Sequence, residues 1–127
     1  PYTMIASDGG VREFNVGNPH PRSYGTNARV LGHYVRERQL LTLEDAIRKM
    51  TSLPARTFNF RDRGQITAGF AADLVLFDPA QIRDASTYIK PHAYSQGFAL
   101  VVVNGKIAVE NDQVTGARGG AALRHRP

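Results

Sequence analysis

An aspartate at the end of an apolar segment is the first residue of this sequence whose type and position could do chemistry. Asp8 follows the segment 2–6, Tyr-Thr-Met-Ile-Ala, and precedes Gly9 and Gly10. The segment is mostly apolar and predicts a buried strand that ends in a turn. In parallel α/β folds, functional groups lie at the carboxyl ends of strands, and glycines let a substrate approach closely. Asp8 is thus either a functional carboxylate or a simple turn former, an acceptor of backbone amides.

A stiff polar stretch supplies the second set of candidates. His20 and Arg22 are each flanked by proline, and Tyr24 follows. Proline restricts its own backbone and that of the residue before it, which would suit a guanidinium that must grip a carboxylate in bidentate fashion. Tyr24 could then donate a hydrogen bond nearby. The alternative is a structural loop in which Arg22 pairs with Glu13 and His20 caps a helix.

Other kinds of catalytic site are not predicted within this chain. The histidines stand at 20, 33, 92 and 125, so they form no His-x-His or His-Glu-x-x-His pair for a metal. Ser7 lacks a Gly-x-Ser-x-Gly setting, and there is no glycine-rich phosphate loop. The absence of cysteine excludes disulfides, thiolate zinc sites and a cysteine nucleophile. A complete active site is therefore not expected here.

Length and charge narrow the class of protein. The chain has 127 residues, enough for one domain, and a net charge of +5 from 16 Lys and Arg against 11 Asp and Glu. The basic residues are scattered among acids, apart from Arg124, His125 and Arg126, so nucleic-acid binding is not predicted. No apolar run is long enough to cross a membrane. The chain begins with proline instead of methionine, and we expect a piece of a longer protein.

The elements that must position these residues fall into two groups. An irregular loop over 11–26 precedes a helix capped by Thr26, with Val30, Leu31, Tyr34 and Val35 on its apolar face. A second helix starts at Thr42 and buries the stripe Leu43, Ala46, Ile47 and Met50. A third opens with Pro54 as its first residue. His33 is expected to be half-exposed.

The second group is an antiparallel β unit. We predict strands over 65–67, 73–78, 98–103, 106–110 and 113–115, with a two-residue type I′ turn at Asn104-Gly105. The glycine- and arginine-rich tail is expected to lie over a surface. The boundary between the groups falls near residue 62, which gives proposed domains of 1–62 and 63–127. Both look like pieces that need partners, since so few short strands make a poor sandwich alone.

Several motifs together resemble the N-acyl-D-amino-acid deacylases (D-aminoacylases) of the metal-dependent amidohydrolase superfamily. They are Ala6-Ser7-Asp8-Gly9-Gly10, His20-Pro21-Arg22-Ser23-Tyr24-Gly25-Thr26, the stretch 41–55, Ala72-Asp73-Leu74-Val75-Leu76-Phe77-Asp78 and Val103-Asn104-Gly105. The histidine-containing stretch points most narrowly to the deacylases. Asn27-Ala28 departs from the family, where an aromatic-proline pair is usual, and so does Phe58-Asn59-Phe60, where glycine is usual near the middle.

The resemblance implies a longer parent enzyme. This chain would supply the last strand and helices of a (β/α)₈ barrel, followed by the C-terminal part of a small antiparallel β-sandwich. The family's zinc ligands lie on earlier strands and are absent here. Asp8 matches the catalytic aspartate, which contacts the metal-bound water. The resemblance also suggests that Ser7, Gly9, Arg22 and Tyr24 bind substrate while His20 is structural.

The resemblance implies an N-acyl-D-amino acid as substrate and the remaining barrel segment as partner. Nucleic-acid and membrane partners are not expected. We further expect a cytoplasmic location, no activity in the isolated chain, and self-association through unpaired strand edges. Two alternatives stay open at this point. One is another amidohydrolase that acts on cyclic amides, and the other is a non-catalytic scaffold or interaction domain.

Overall fold

The computed structural model describes residues 2–124 and consists of helices followed by a small sheet. The helical part comprises α1 (Arg22–Arg29), a π-helical segment (Val30–Glu37), α2 (Leu43–Met50) and α3 (Ser52–Thr57). The sheet comprises β1 (Leu74–Phe77), β2 (Phe98–Val103), β3 (Lys106–Glu110) and β4 (Gln113–Val114). Of the basic cluster near the C-terminus, His125 and Arg126 lie outside the described residues. No helix in the part described is long and apolar enough to span a bilayer.

Helix α1 begins four residues before the predicted start at Thr26, so that prediction is wrong. Pro21 precedes the first helical residue with φ −51°, a value already suited to a helix. The Nδ1 atom of His20 accepts the backbone N–H of Arg22 at 3.1 Å, which satisfies one of the free amides of the first turn. Thr26 lies inside the helix, where its hydroxyl donates to the carbonyl of Arg22 at 3.0 Å. His20 therefore does what Thr26 was expected to do.

The π-helical segment continues α1 without a break and changes the helical period. Val30 and Leu31 are buried as predicted, and Val35 packs against them, but Tyr34 is 40% exposed. A wider turn rotates successive side chains by a smaller angle than an α-helix does. A face assigned with the α-helical period therefore places Tyr34 wrongly. His33 is half-buried, as predicted, and pairs with Glu37 at 2.8 Å.

Helices α2 and α3 follow from local signals in the sequence. The hydroxyl of Thr42 accepts the backbone N–H of Asp45 at 3.2 Å, which confirms the predicted cap. The predicted stripe of α2 faces the core, with Ala46 fully buried. Helix α3 begins at Ser52, so Pro54 is its third residue instead of its first. Proline is tolerated there because the first amides of a helix have no partner within the helix.

The segment 2–6, predicted as a strand of a sheet larger than this chain supplies, forms no strand among the described residues. It pairs with no other strand of the described residues, and Tyr2 is 90% exposed. A single strand has no neighbour to satisfy its backbone groups. The segment is held instead by α2. Lys49, itself buried, donates from Nζ to the carbonyl and hydroxyl of Thr3 at 3.0 and 3.1 Å, and the N–H of Ile5 donates to the carbonyl of Lys49.

The sheet is antiparallel throughout, in the order β1-β2-β3-β4. Strands β2 and β3 have the predicted bounds, and positive φ angles of 47° at Asn104 and 76° at Gly105 fit the predicted type I′ turn. The predicted strand at 65–67 is wrong, since that stretch forms no strand and Ile66 is 91% exposed. In the tail, the carbonyl of Gly119 accepts a hydrogen bond from the Asn104 side chain.

The core is small and centres on Ile82, which is 1% exposed. Ile82 joins Ala28, Val30, Leu31 and Ala46 from the helices, with Phe77 and Phe98 of the sheet packed against them. Consecutive residues of a strand face opposite sides. Leu74, Val75 and Leu76 of β1 are nevertheless 40%, 53% and 61% exposed. Both faces of the sheet at β1 are therefore uncovered.

Candidate functional site

The turn after residue 6 brings Asp8 against the start of α1. A carboxylate oxygen of Asp8 lies 2.8 Å from Nη2 of Arg22, and the two side chains are 82% and 46% exposed. Arg22 thus pairs with Asp8 and not with Glu13, the partner considered from sequence. Asp8 has a positive φ of 49°, so the chain bends sharply at this residue. The two residues that the sequence singled out for charge chemistry are neighbours in space.

Ser7 and Gly9 shape the turn that presents Asp8. The hydroxyl of Ser7 accepts the backbone N–H of Gly9 at 3.2 Å, so a turn amide is satisfied by the serine. A Cβ atom at Gly9 would lie 3.0 Å from Cα of Ser23 and 3.1 Å from the carbonyl oxygen of Arg22. Only glycine lets the turn approach the α1 backbone this closely. The serine hydroxyl, and not the Asp8 carboxylate, accepts the turn amide, and the Asp8 carboxylate pairs with Arg22. This arrangement does not match the alternative in which Asp8 only forms the turn.

The ring of His20 lies between the start of α1 and Tyr88. Its Nδ1 atom accepts the N–H of Arg22, so a neutral His20 carries its proton on Nε2. That nitrogen lies 3.0 Å from the hydroxyl oxygen of Tyr88, which then accepts. The rings of His20 and Tyr88 also meet edge to face, with centroids 5.1 Å apart. Arg22 is thereby held from its N-terminal side by a residue far along the chain.

The hydroxyl of Tyr24 has a hydrogen-bond partner far along the chain. Its hydroxyl lies 3.0 Å from Nδ1 of His92, while Nε2 of His92 lies 2.9 Å from the carbonyl oxygen of Gly17. A carbonyl can only accept, so Nε2 carries the proton in neutral His92 and Nδ1 is an acceptor. The Tyr24 hydroxyl therefore donates to His92. The oxygen of Tyr24 keeps its lone pairs as acceptors.

The loop before α1 is anchored by an aromatic cluster that includes His92. Phe14 stacks on Tyr94 at 4.9 Å between ring centroids and meets Tyr24 and His92 edge to face at 6.1 and 5.7 Å. Sequence reasoning missed His92, because its partners lie about 70 positions earlier in the chain. One signal in the sequence could have pointed to His92. It lies between Tyr88 and Tyr94 in a stretch that has neither helix nor strand periodicity.

Two cavities border Arg22. The first, about 370 Å³, is lined by Ser7, Arg22, Tyr24 and Tyr94 and reaches the face of the sheet at Phe98. The second, about 550 Å³, lies on the other side and is lined by His20, Arg22, Arg29, Asp84 and Tyr88. Arg29 in the second cavity pairs with Asp84 at 3.0 Å. The hydrogen bond that Arg29 donates to Asp84 raises the pKa of Arg29 above its ordinary value, so this guanidinium is engaged by Asp84.

The donor set within this chain is too small for a metal site on its own. Among residues 2–124 there is no group of three His, Cys, Asp or Glu side chains that could hold a metal ion. Zinc in proteins is bound by His, Cys and carboxylate ligands, usually four in number. Asp8 could contribute one exposed carboxylate to such a centre. The other ligands would have to come from outside this chain.

Comparisons with known proteins give one consistent result. A model described as "Amidohydrolase family" matches residues 3–109. The D-aminoacylase of Alcaligenes xylosoxydans xylosoxydans is 45% identical over 121 residues, which is 95% of this chain and 24% of that protein. A crystal structure of a D-aminoacylase superposes with a TM-score of 0.86 at 45% identity and covers 93% of this chain and 24% of its own.

A further solved structure carries ligands. It is the N-acyl-D-glutamate deacylase of Bordetella bronchiseptica, bound to zinc and a phosphonate inhibitor that mimics the tetrahedral intermediate of its reaction. It superposes with a TM-score of 0.78 at 44% identity and covers 90% of this chain and 25% of its own. The present chain therefore spans about a quarter of the length of these relatives.

Proposed function

Since this chain belongs to the amidohydrolase family, we propose that it is the C-terminal portion of a zinc-dependent enzyme that deacylates N-acyl-D-amino acids. The observation that carries the proposal is the pairing of Asp8 with Arg22 at the edge of a cavity. A carboxylate for proton transfer and a guanidinium for a substrate carboxylate are the two groups that this reaction needs from this part of the chain. The relatives named D-aminoacylase and N-acyl-D-glutamate deacylase support the substrate class.

The same proposal accounts for the surfaces that this chain leaves uncovered. We propose that the segment 2–6 is the last strand of a barrel and pairs with strands of the remaining parent chain. The sheet of β1 to β4 would form the C-terminal part of a sandwich, with its other strands in the parent. The exposure of Leu74, Val75 and Leu76 supports this arrangement, because a sheet with both faces uncovered lacks a second layer.

In the proposed mechanism, Asp8 moves the proton. It takes a proton from the attacking water and returns it to the amide nitrogen, which leaves poorly as an amine until it is protonated. The products are a carboxylate and a free D-amino acid. Zinc, when bound by ligands from outside this chain, supplies a water of lowered pKa and polarises the acyl carbonyl.

Arg22 binds the substrate's own carboxylate in this mechanism. To do so, it must exchange Asp8 for the substrate. The exchange is energetically easy, because an exposed ion pair contributes about 0–1 kcal/mol, and it frees the Asp8 carboxylate for proton transfer. Tyr24 supplies an acceptor oxygen beside Arg22, suited to the amide N–H of the substrate. Ser7 and Gly9 hold the turn that places Asp8 beside Arg22.

The test uses the full-length protein that contains this chain, assayed on N-acetyl-D-amino acids. Asp8→Asn is expected to lower kcat by about 10²–10⁴-fold, the usual contribution of a general acid-base group. Arg22→Ala is expected to raise KM, with Arg22→Lys between the two, since lysine lacks the bidentate fork. Glu110→Gln, at an exposed carboxylate on β3, serves as the control and should retain activity.

The alternatives give other outcomes. Retained turnover in Asp8→Asn would favour a scaffold domain, and faster hydrolysis of hydantoins than of N-acetyl-D-amino acids would favour a cyclic-amide hydrolase. We propose that the isolated 127-residue chain is inactive and self-associates, and that the parent is cytoplasmic. Metal-dependent deacylation by the isolated chain would contradict the proposal that most zinc ligands lie elsewhere.

A further inference from the structure

We infer that His92 is a positioning residue for the substrate-binding group Tyr24, an inference that rests on the proposed function. His92 belongs to the stretch 84–95 between β1 and β2, here named the clasp segment. It lies far from Asp8 in sequence, and no motif points to it.

The clasp segment is a compact loop with closed ends. Arg83 and Gln96 form an antiparallel pair, each backbone N–H donating to the other's carbonyl at 3.0 Å. Inside the loop, the buried hydroxyl of Ser86 donates to the carbonyl of Pro91 at 2.6 Å. Loops of this length that close on themselves and pack their own side chains are often functional. The segment therefore has the rigidity that a positioning element needs.

The clasp segment contacts residues that lie on both sides of Arg22 in the sequence. On the N-terminal side, Tyr88 contacts His20, whose ring accepts the Arg22 amide. On the C-terminal side, His92 accepts from the Tyr24 hydroxyl, and Ser95 donates to the Tyr24 carbonyl at 3.0 Å.

His92 is the residue of the clasp segment that joins Tyr24 to the preceding loop. Its Nδ1 atom accepts from the Tyr24 hydroxyl and also from the backbone N–H of Asn15 at 3.2 Å. Its Nε2 atom donates to the Gly17 carbonyl. One ring thus fixes the loop beside the cavity and orients the Tyr24 oxygen with its lone pairs free. Without His92, the Tyr24 hydroxyl could rotate and point its proton at the amide N–H of the substrate. Two donors would then face each other.

The experiment separates the two hydrogen-bonding roles of the ring in the full-length protein. His92→Phe keeps an aromatic ring beside Phe14 but removes all three hydrogen bonds of the His92 ring. It is expected to raise KM for an N-acetyl-D-amino acid by about tenfold, the factor that corresponds to about 1.4 kcal/mol, and to leave kcat within about twofold. His92→Asn retains an acceptor near Nδ1 and His92→Gln a donor near Nε2. We expect the KM of the asparagine variant to be closer to the wild-type value than that of the glutamine variant.

A double-mutant cycle tests whether His92 acts through Tyr24. Tyr24→Phe should raise KM, and adding His92→Phe to it should raise KM by less than about twofold more, because the shared interaction is already lost. His33→Phe, at a histidine of the π-helical segment outside the clasp segment, is the matched control and should keep the wild-type KM.

Each outcome has a defined meaning. If the wild-type full-length protein does not hydrolyse N-acyl-D-amino acids, the proposed function fails. If it does, but His92→Phe retains the wild-type KM, or lowers kcat and melting temperature without a change in KM, the inference about His92 is overturned and the proposed function stands. If His92→Phe does not fold, the comparison of asparagine with glutamine decides. A KM closer to wild type in the glutamine variant, or equal in both, overturns the inference.

Discussion

Substitution of Gly32 by alanine should destabilise the fold, although alanine is the better helix former. Gly32 lies in the π-helical segment where the chain passes close to Ile82. A Cβ atom at this position would lie 2.7 Å from the carbonyl oxygen of Ile82 and 3.4 Å from Cα of Arg83. Contacts of that length to backbone require one of the two segments to move. The same Ile82 carbonyl accepts a hydrogen bond from Nη1 of Arg36 at 2.7 Å.

The magnitude follows from three opposing contributions. Replacing glycine by alanine in a helix gains about 1 kcal/mol. Forcing a methyl group into a packed contact costs about 1–3 kcal/mol. Weakening the charged hydrogen bond between Arg36 and Ile82 costs about 1–2 kcal/mol. The net expectation is a loss of about 2 kcal/mol in the free energy of unfolding.

Urea unfolding of the 127-residue chain, followed by circular dichroism at one fixed protein concentration, measures this loss. The concentration must be fixed because association contributes to apparent stability. Gly120→Ala is the matched control, since a Cβ atom there meets nothing within 4 Å, and its free energy of unfolding should stay within about 0.5 kcal/mol of wild type. If Gly32→Ala is as stable as wild type or more so, the close approach to Ile82 does not limit this position.

Three further predictions concern the helices and the sheet of the isolated chain. Thr42→Ala should lower the free energy of unfolding in urea by about 1 kcal/mol while Thr42→Ser does not, because serine keeps the cap; equal losses would contradict the cap. The hydrogen bond from Arg48 lowers the pKa of Asp45 below its ordinary value. The ionised Asp45 side chain therefore stabilises the fold fully at pH values above the ordinary aspartate pKa, and this stabilisation is lost as the pH falls through the lowered pKa. Asp45→Asn should therefore flatten the acid limb of a plot of unfolding free energy against pH, and an unchanged limb would refute this. Leu76→Lys on the exposed strand β1 should reduce self-association measured by light scattering, whereas Leu123→Lys, also exposed but outside the sheet, should not; equal effects would show that β1 is not the associating surface.

The parts of the fold that the sequence predicted well are those fixed by local chemistry. Asn104-Gly105 sets a tight turn by backbone preference alone, so β2 and β3 were placed with their bounds. Thr42 caps α2 through a side chain three residues from its partner. Such contacts need no knowledge of the rest of the chain. The family itself was also recognisable, since the motifs around Asp8 and Arg22 occur in contiguous stretches.

The failures concern elements that depend on distant or missing partners. The segment 2–6 has the composition of a strand, but the described residues supply no neighbouring strand and hold it through Lys49 and the packing of Ile5 against the core. The start of α1 is set by His20, whose ring contacts Tyr88 far along the chain. Local sequence alone does not distinguish this cap from the one predicted at Thr26. Likewise, the contact of His92 with Tyr24 joins residues 68 positions apart, a separation at which periodicity carries no information.

The π-helical segment has a consequence for insertions and deletions. Each of its wide turns contains one residue more than an α-turn. Deleting one residue between 30 and 37 would rotate α1 relative to the following chain by the angle that one residue of this segment spans, which is somewhat less than the α-helical angle of about 100°. Helix α1 begins with Arg22, while α2 holds the segment before Asp8 through Lys49. A shortened segment would therefore misalign the two charged groups while keeping every side chain of the site, so we expect the length of this segment to matter more than its composition.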